Sequence, residues 1–195
     1  MSRKKKPKQN RKHRRGPCES IPADVPLDLR CLMEVVLPTA RKIFLQYSNH
    51  VPMLFAVRGE RMLYADHVAE LMNTKALLEK FMVDQARRGA TAMALVSECW
   101  MASARSSDTA AVQAMGEYAE NHSLEDWQGR TEWLMVMGST PDQEILARAE
   151  IIRPKRGRAL LGPWDIHFVP RDIKDPFGGK PARFQHIFEK AKVKS

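Results

Sequence analysis

The first fifteen residues contain no acidic side chain, and the whole chain has few cysteines and few aromatic residues. The three cysteines, Cys18, Cys31 and Cys99, are an odd number and lie far apart in the sequence. This pattern excludes a disulfide framework and a zinc-ligand spacing, and it favours a reducing compartment such as the cytoplasm. No uncharged apolar run approaches the roughly 18 residues that a membrane-spanning helix requires.

The sequence also lacks the short motifs that mark common enzyme sites, including GxGxxG, the P-loop, HExxH, GxSxG and paired CxxC. His67 with Glu70, and Asp165 with His167, each resemble half of a metal site, and no second half is visible. We therefore assign no catalytic residue, no metal ligand and no cofactor from the sequence.

Positive charge is concentrated at the start of the chain. The protein has 32 Lys and Arg against 23 Asp and Glu, a net charge of +9, and nine of the basic residues fall within residues 3–15. A proline-punctuated segment of this composition predicts a disordered arm and linker over residues 1–26 that binds a polyanion, most often nucleic acid. The predicted phosphate-binding residues of the arm are Arg3, Lys4, Lys5, Lys6, Lys8, Arg11, Lys12, Arg14 and Arg15.

A second basic cluster lies between two predicted strands, and its charges would project together from one turn. A third basic region is residues 170–195. The cluster is interpreted either as part of a nucleic-acid interface or as a solvated turn. Its predicted phosphate-binding residues are Arg153, Lys155, Arg156 and Arg158.

Apolar periodicity predicts a helix over residues 27–48, with Pro38 either kinking it or starting a second helix. A β-hairpin should follow, with Gly59 in its turn. A long helix is expected from an Asp66 cap to about Arg88. The stretch from Thr91 to Met101 is apolar on both faces and predicts a central strand.

Three further strands are predicted at residues 131–137, 145–152 and 159–169, the last broken at Gly162-Pro163. After a linker, residues 182–193 are expected to form an amphipathic closing helix. The expected fold is α+β, with a mostly antiparallel sheet of about five or six strands and two or three helices. One domain spans residues 27–169, followed by the linker and C-terminal helix of residues 170–195. This element order is similar to that of roadblock/longin-type and profilin-like domains.

Glu98 lies inside the predicted central strand, where a buried carboxylate needs a partner. It is interpreted as a structural ion pair with Arg148 or Arg158, or as an exposed residue at the sheet edge. A site near Glu98 and Cys99 is the enzymatic alternative.

The sequence predicts a non-enzymatic nucleic-acid-associated protein, with DNA and RNA left open. A protein–protein interaction module, with the arm as a tether or localisation signal, is the second hypothesis. A protein partner or a homodimer would fit it. The expected location is cytoplasmic, nucleoid-associated in a bacterium or nuclear in a eukaryote.

Overall fold

A computed structural model of the chain describes residue 21 and residues 25–72, 74–102, 108–122, 124–170 and 185–192. Nearly all of the basic arm lies outside these ranges. Ile21 and Val25 are described and pack against the core, so the folded body starts before residue 27. The helices are α1 (Leu27–Tyr47), α2 (Ala69–Met72), α3 (Lys75–Arg87), α4 (Thr109–Asn121) and α5 (Gln185–Lys192). The strands are β1 (Met53–Arg58), β2 (Arg61–His67), β3 (Ala92–Met101), β4 (Thr131–Ser139), β5 (Gln143–Ile152), β6 (Leu160–Leu161) and β7 (Asp165–Pro170).

The strands of the described ranges form one antiparallel sheet in the order β2-β1-β3-β4-β5-β6, and β7 pairs with the other end of β5. The segments β6 and β7 therefore occupy one strand position, which Gly162 and Pro163 interrupt as predicted. Short connections join β1 to β2, β4 to β5 and β5 to β6. Helices α2 and α3 instead separate β2 from β3, which pairs with β1, and α4 lies between β3 and β4. The predicted α+β class is confirmed.

Strand β3 is buried on both faces, as its sequence predicts. Ala92, Ala94 and Val96 belong to the core cluster beneath α1, whereas Met93 and Leu95 belong to the cluster on the other face. Since successive side chains of a strand point to opposite faces, a strand that is apolar throughout requires cover on both sides. Helices accordingly lie on both faces of the sheet.

Helix α1 covers the first face with its apolar side. Pro38 lies inside this single helix and does not start a second one. Proline removes one backbone donor, but Pro38 is exposed, so water reaches the carbonyl that loses its partner. The fully buried residues of α1 include Leu29, Leu32, Met33, Val36, Ala40 and Phe44.

Helices α3 and α5 cover the second face over β1 and β3. Their buried residues include Met82, Val83, Ile187 and Phe188. Glu79 of α3 accepts a hydrogen bond from Lys190 of α5 and lies 3.3 Å from His186 Nε2. These contacts lower the pKa of Glu79, the Lys190 hydrogen bond most strongly, and they join the two helices. Within the described residues, no helix is long and apolar enough to cross a membrane.

The prediction of one long helix from Asp66 to Arg88 is wrong at its start. Strand β2 continues through His67, and Asp66 Oδ1 accepts a hydrogen bond from the His67 backbone N–H instead of capping a helix. The chain then forms the short helix α2 before α3 begins at Lys75. Pairing with β1 extends β2, and this long-range interaction overrides the local capping signal.

Gly138 of β4 lies where side chains of α1 pack tightly against the sheet. A Cβ atom at this position would lie 2.7 Å from Ile145 Cγ2 and 2.9 Å from Leu29 Cδ1. We expect Gly138→Ala to lower the free energy of unfolding by about 1–3 kcal/mol, because the core would be overpacked. Urea unfolding followed by circular dichroism measures this change.

Gly116→Ala in α4 is the matched control, because no atom lies within 4 Å of the added Cβ. It should raise stability by roughly 0.5–1 kcal/mol through helix propensity. Equal stabilities of the two variants would contradict the proposed close contact at Gly138.

Candidate nucleic-acid interface

The structure describes the second basic cluster, whereas the arm residues Arg3–Arg15 lie outside the described ranges. The chain leaves β5 at Ile152 and returns at Leu160 of β6, which pairs directly with Ile152. Residues 153–158 are all exposed, and Gly157 has a φ of 100° that favours glycine. The basic cluster therefore forms a solvent-exposed loop, here called the basic loop (residues 153–158).

Arg153 anchors the base of this loop. Its Nε and Nη2 atoms donate to the two carboxylate oxygens of Glu132, each at 2.6 Å. Nη2 also lies 3.3 Å from Glu98 Oε2, and Nη1 donates to the Ser48 carbonyl at 2.8 Å. One guanidinium thus links the loop to β3, β4 and the end of α1, using the fork geometry that arginine offers to carboxylates.

The other three cations of the loop behave differently. In the described part of the chain, Lys155, Arg156 and Arg158 form no ion pair or side-chain hydrogen bond with another residue. Their side chains are exposed on a short segment between two paired residues. Three cations held close together by the backbone, with no internal partner, can contact the phosphates of a ligand.

Glu98 has Arg153 as its ion-pair partner, so the expectation of Arg148 or Arg158 is wrong. Strand register alone does not predict this ion pair. Arg153 follows the end of β5, and its side chain reaches across β4 to Glu98. The His50 backbone N–H donates to Glu98 Oε1 at 2.5 Å. Burial nevertheless raises the pKa of Glu98, outweighing the His50 hydrogen bond and the charge of Arg153.

Cys99, the other residue of the enzymatic alternative, lies with its Sγ 2.8 Å from Met135 Sδ. A thioether cannot act as a general base, so this contact does not activate the thiol. The His50 ring is buried, and its Nδ1 lies 2.8 Å from the Val51 carbonyl, a hydrogen bond local to that loop. Burial lowers the pKa of His50.

Asp165 and His167 do lie together on one face of β7, with His167 Nε2 2.9 Å from Asp165 Oδ2. Arg148 Nη2 contacts the same oxygen at 2.9 Å. The His167 hydrogen bond, followed by the Arg148 hydrogen bond, lowers the pKa of Asp165. Within the described ranges, no three His, Cys, Asp or Glu side chains come together as a metal site.

Comparison with known proteins gives no assignment. No family model matches the chain, and neither the curated proteins nor the solved structures give a match. The similarity to roadblock/longin-type and profilin-like domains is therefore one of element order alone.

Sequence reasoning did not distinguish Arg153, which anchors the basic loop, from the three exposed cations of the same loop. All four of its cations have the same local pattern, and only the long-range pairing of β4 with β5 brings Glu132 to Arg153. The exposed aliphatic pair Ile152 and Leu160 was also missed, because both residues read as ordinary strand positions. The signal available in the sequence was the apolar residue on each side of the basic loop, Ile152 before it and Leu160 after it.

We expect Arg153→Ala to lower the free energy of unfolding by about 1–3 kcal/mol. The substitution leaves the largely buried carboxylates of Glu98 and Glu132 without their cation. The larger cost of breaking a fully buried pair, about 3–5 kcal/mol, does not apply because Arg153 is 44% exposed. Arg156→Ala, at an exposed position of the same loop, should change stability by no more than about 0.5 kcal/mol. Chemical unfolding that gives equal losses for the two variants would refute the anchoring role.

The raised pKa of Glu98 predicts a pH-dependent stability difference. At a pH above this raised pKa, the buried charge costs stability, and below the ordinary value of 4.5 the side chain is protonated in both folded and unfolded chains. Wild type should therefore gain stability relative to Glu98→Gln as the pH falls through this interval. Thermal or urea unfolding of both proteins across mildly acidic pH measures the difference, and a constant difference would contradict the prediction.

Proposed function

We propose that this chain is a non-enzymatic nucleic-acid-associated protein that contacts phosphates with its basic arm and its basic loop. The role proposed for the loop is supported by a difference among its four cations. Arg153 is held by two carboxylates, whereas Lys155, Arg156 and Arg158 are exposed and have no ion-pair partner among the residues that the structure describes. Cations in this state can neutralise phosphates without first breaking an ion pair of the fold.

The charge distribution supports the same proposal. The nine basic residues of the arm account for the entire formal net charge of +9, so the remaining chain is balanced. In a balanced body, local groups of unpaired cations determine where a polyanion binds. The loop supplies such a group on a defined backbone, and the arm adds charge by composition alone.

A protein-interaction module is the second candidate. The outer side of α1 exposes Leu27, Val35 and Leu45, with relative exposures of 60%, 51% and 41%. Exposed aliphatic residues along one helix are a feature of helix-mediated contacts between proteins. A mass measurement that gives a dimer, together with no nucleic-acid binding, would favour this candidate.

Fluorescence anisotropy over a range of salt concentrations tests the nucleic-acid proposal. The full chain should bind DNA or RNA with an affinity that falls steeply with salt, and engagement of six to nine arm charges would give a log–log slope of about −5 to −8 on duplex DNA. Replacement of the nine arm cations by Gln should weaken binding and flatten the slope by most of this amount.

A loop variant isolates the folded site. Lys155→Gln, Arg156→Gln and Arg158→Gln together should reduce the slope by about 2–3, one unit for each lost phosphate contact. The control removes three exposed cations elsewhere, through Arg61→Gln, Lys80→Gln and Arg88→Gln, and should alter the slope far less. Equal effects of the two triple variants would reject the loop as a site, and failure of the unaltered chain to bind at physiological salt would reject the proposed function.

A further inference from the structure

Two exposed aliphatic residues lie at the base of the basic loop. Ile152 is 48% exposed and Leu160 is 55% exposed, and they are direct partners across β5 and β6. Ile151 is buried in the cluster beneath α1, so its neighbour Ile152 lies on the opposite face of the sheet. The aliphatic pair therefore lies on the face away from α1, at the base of the loop that carries Lys155, Arg156 and Arg158.

Trp133 lies on the same face of the sheet. Its neighbour Leu134 is buried beneath α1, and Trp133 pairs with Glu150, two residues before Ile152. The Arg148 guanidinium lies 5.2 Å from the Trp133 ring centre. Trp133, Ile152 and Leu160 belong to neither of the two core clusters of the described residues. These three residues form a partly exposed surface, here called the apolar patch (Trp133, Ile152 and Leu160).

We propose that the apolar patch binds the bases of unpaired nucleotides whose phosphates contact the basic loop. This proposal rests on the proposed function and specifies its ligand as single-stranded nucleic acid. Unpaired bases expose flat apolar faces, whereas the bases of a duplex are stacked against one another. An apolar surface next to three unpaired cations complements a ligand that has a base and a phosphate in each unit.

The position of the cations favours this ligand over a membrane. Side chains that insert into a bilayer are apolar and lie deepest, with cations behind them at the level of the headgroups. Here the order is reversed, because the cations lie on the loop beyond the last strand pair and the aliphatic residues lie behind them. The loop would therefore reach phosphates first and bring the attached bases over the patch.

The charge of Glu150 also favours bases over phosphates as the groups that lie against the apolar patch. It is exposed on the same face, opposite Trp133 and two residues before Ile152. A carboxylate repels phosphate but accepts hydrogen bonds from exocyclic amino groups of bases, such as that of cytosine. Its charge would direct phosphates towards the loop and leave the patch to bases.

The test compares two ligands of equal charge: an oligothymidylate and an abasic deoxyribose-phosphate strand of the same length. The full chain should bind the oligothymidylate about tenfold more tightly, because stacking contributes roughly 1–3 kcal/mol per base. Ile152→Ala with Leu160→Ala should reduce this preference by at least about threefold and leave the salt slope unchanged, because no phosphate contact is lost.

Leu77→Ala with Val112→Ala is the matched control, since it removes similar exposed aliphatic area from α3 and α4. It should preserve the preference for bases. Leu160→Ala alone is a milder variant that retains Ile152 in β5, and it should give a smaller loss in the same direction. Thermal unfolding of each variant verifies the fold before binding is measured.

The outcomes separate this inference from the proposed function. Equal, salt-dependent binding of both strands by the full chain would refute the role of the apolar patch and leave the phosphate contacts standing. Tighter binding to duplex than to single strands would also refute it. Binding to anionic phospholipid vesicles that depends on Ile152 and Leu160, with no binding to either strand, would overturn both proposals.

Discussion

Burial of β3 on both faces is the constraint from which the remaining structure follows. A ten-residue strand with apolar side chains on alternate faces needs a helix layer on each side, and α1 on one face and α3 with α5 on the other meet that need. The same strand carries Glu98 towards its end, where the cover is incomplete and the carboxylate is only partly exposed. A partly buried carboxylate requires partners, and Arg153 with the His50 backbone N–H supplies them.

This ion pair connects the core with the candidate interface. Arg153 contacts residues of β3 and β4 and the Ser48 carbonyl that ends α1, and it is itself the first residue of the basic loop. The anchor restricts the loop at the point where it leaves the sheet, so the three outer cations start from a fixed base. Restricting a binding segment before a ligand arrives reduces the entropy that binding must overcome.

The two basic regions differ in what they offer a polyanion. The arm has many charges and no acid or aromatic residue, and such a segment can contact phosphates of any sequence. The basic loop has fewer charges, but its cations have a defined position relative to Trp133, Ile152 and Leu160. Under the proposed function, the arm would supply general affinity and the loop with its apolar patch would supply preference for one form of nucleic acid.

The sequence by itself determined the α+β class, the central position of β3, the Gly59 turn and the break at Gly162-Pro163. Each of these depends on local periodicity, or on a proline or glycine whose backbone preference is intrinsic. The tertiary structure alone decided that β2 continues through Asp66 and that Arg153 pairs with Glu98 and Glu132. These features depend on strand pairing between distant parts of the chain, and local sequence patterns carry no information about which distant side chains that pairing brings into contact.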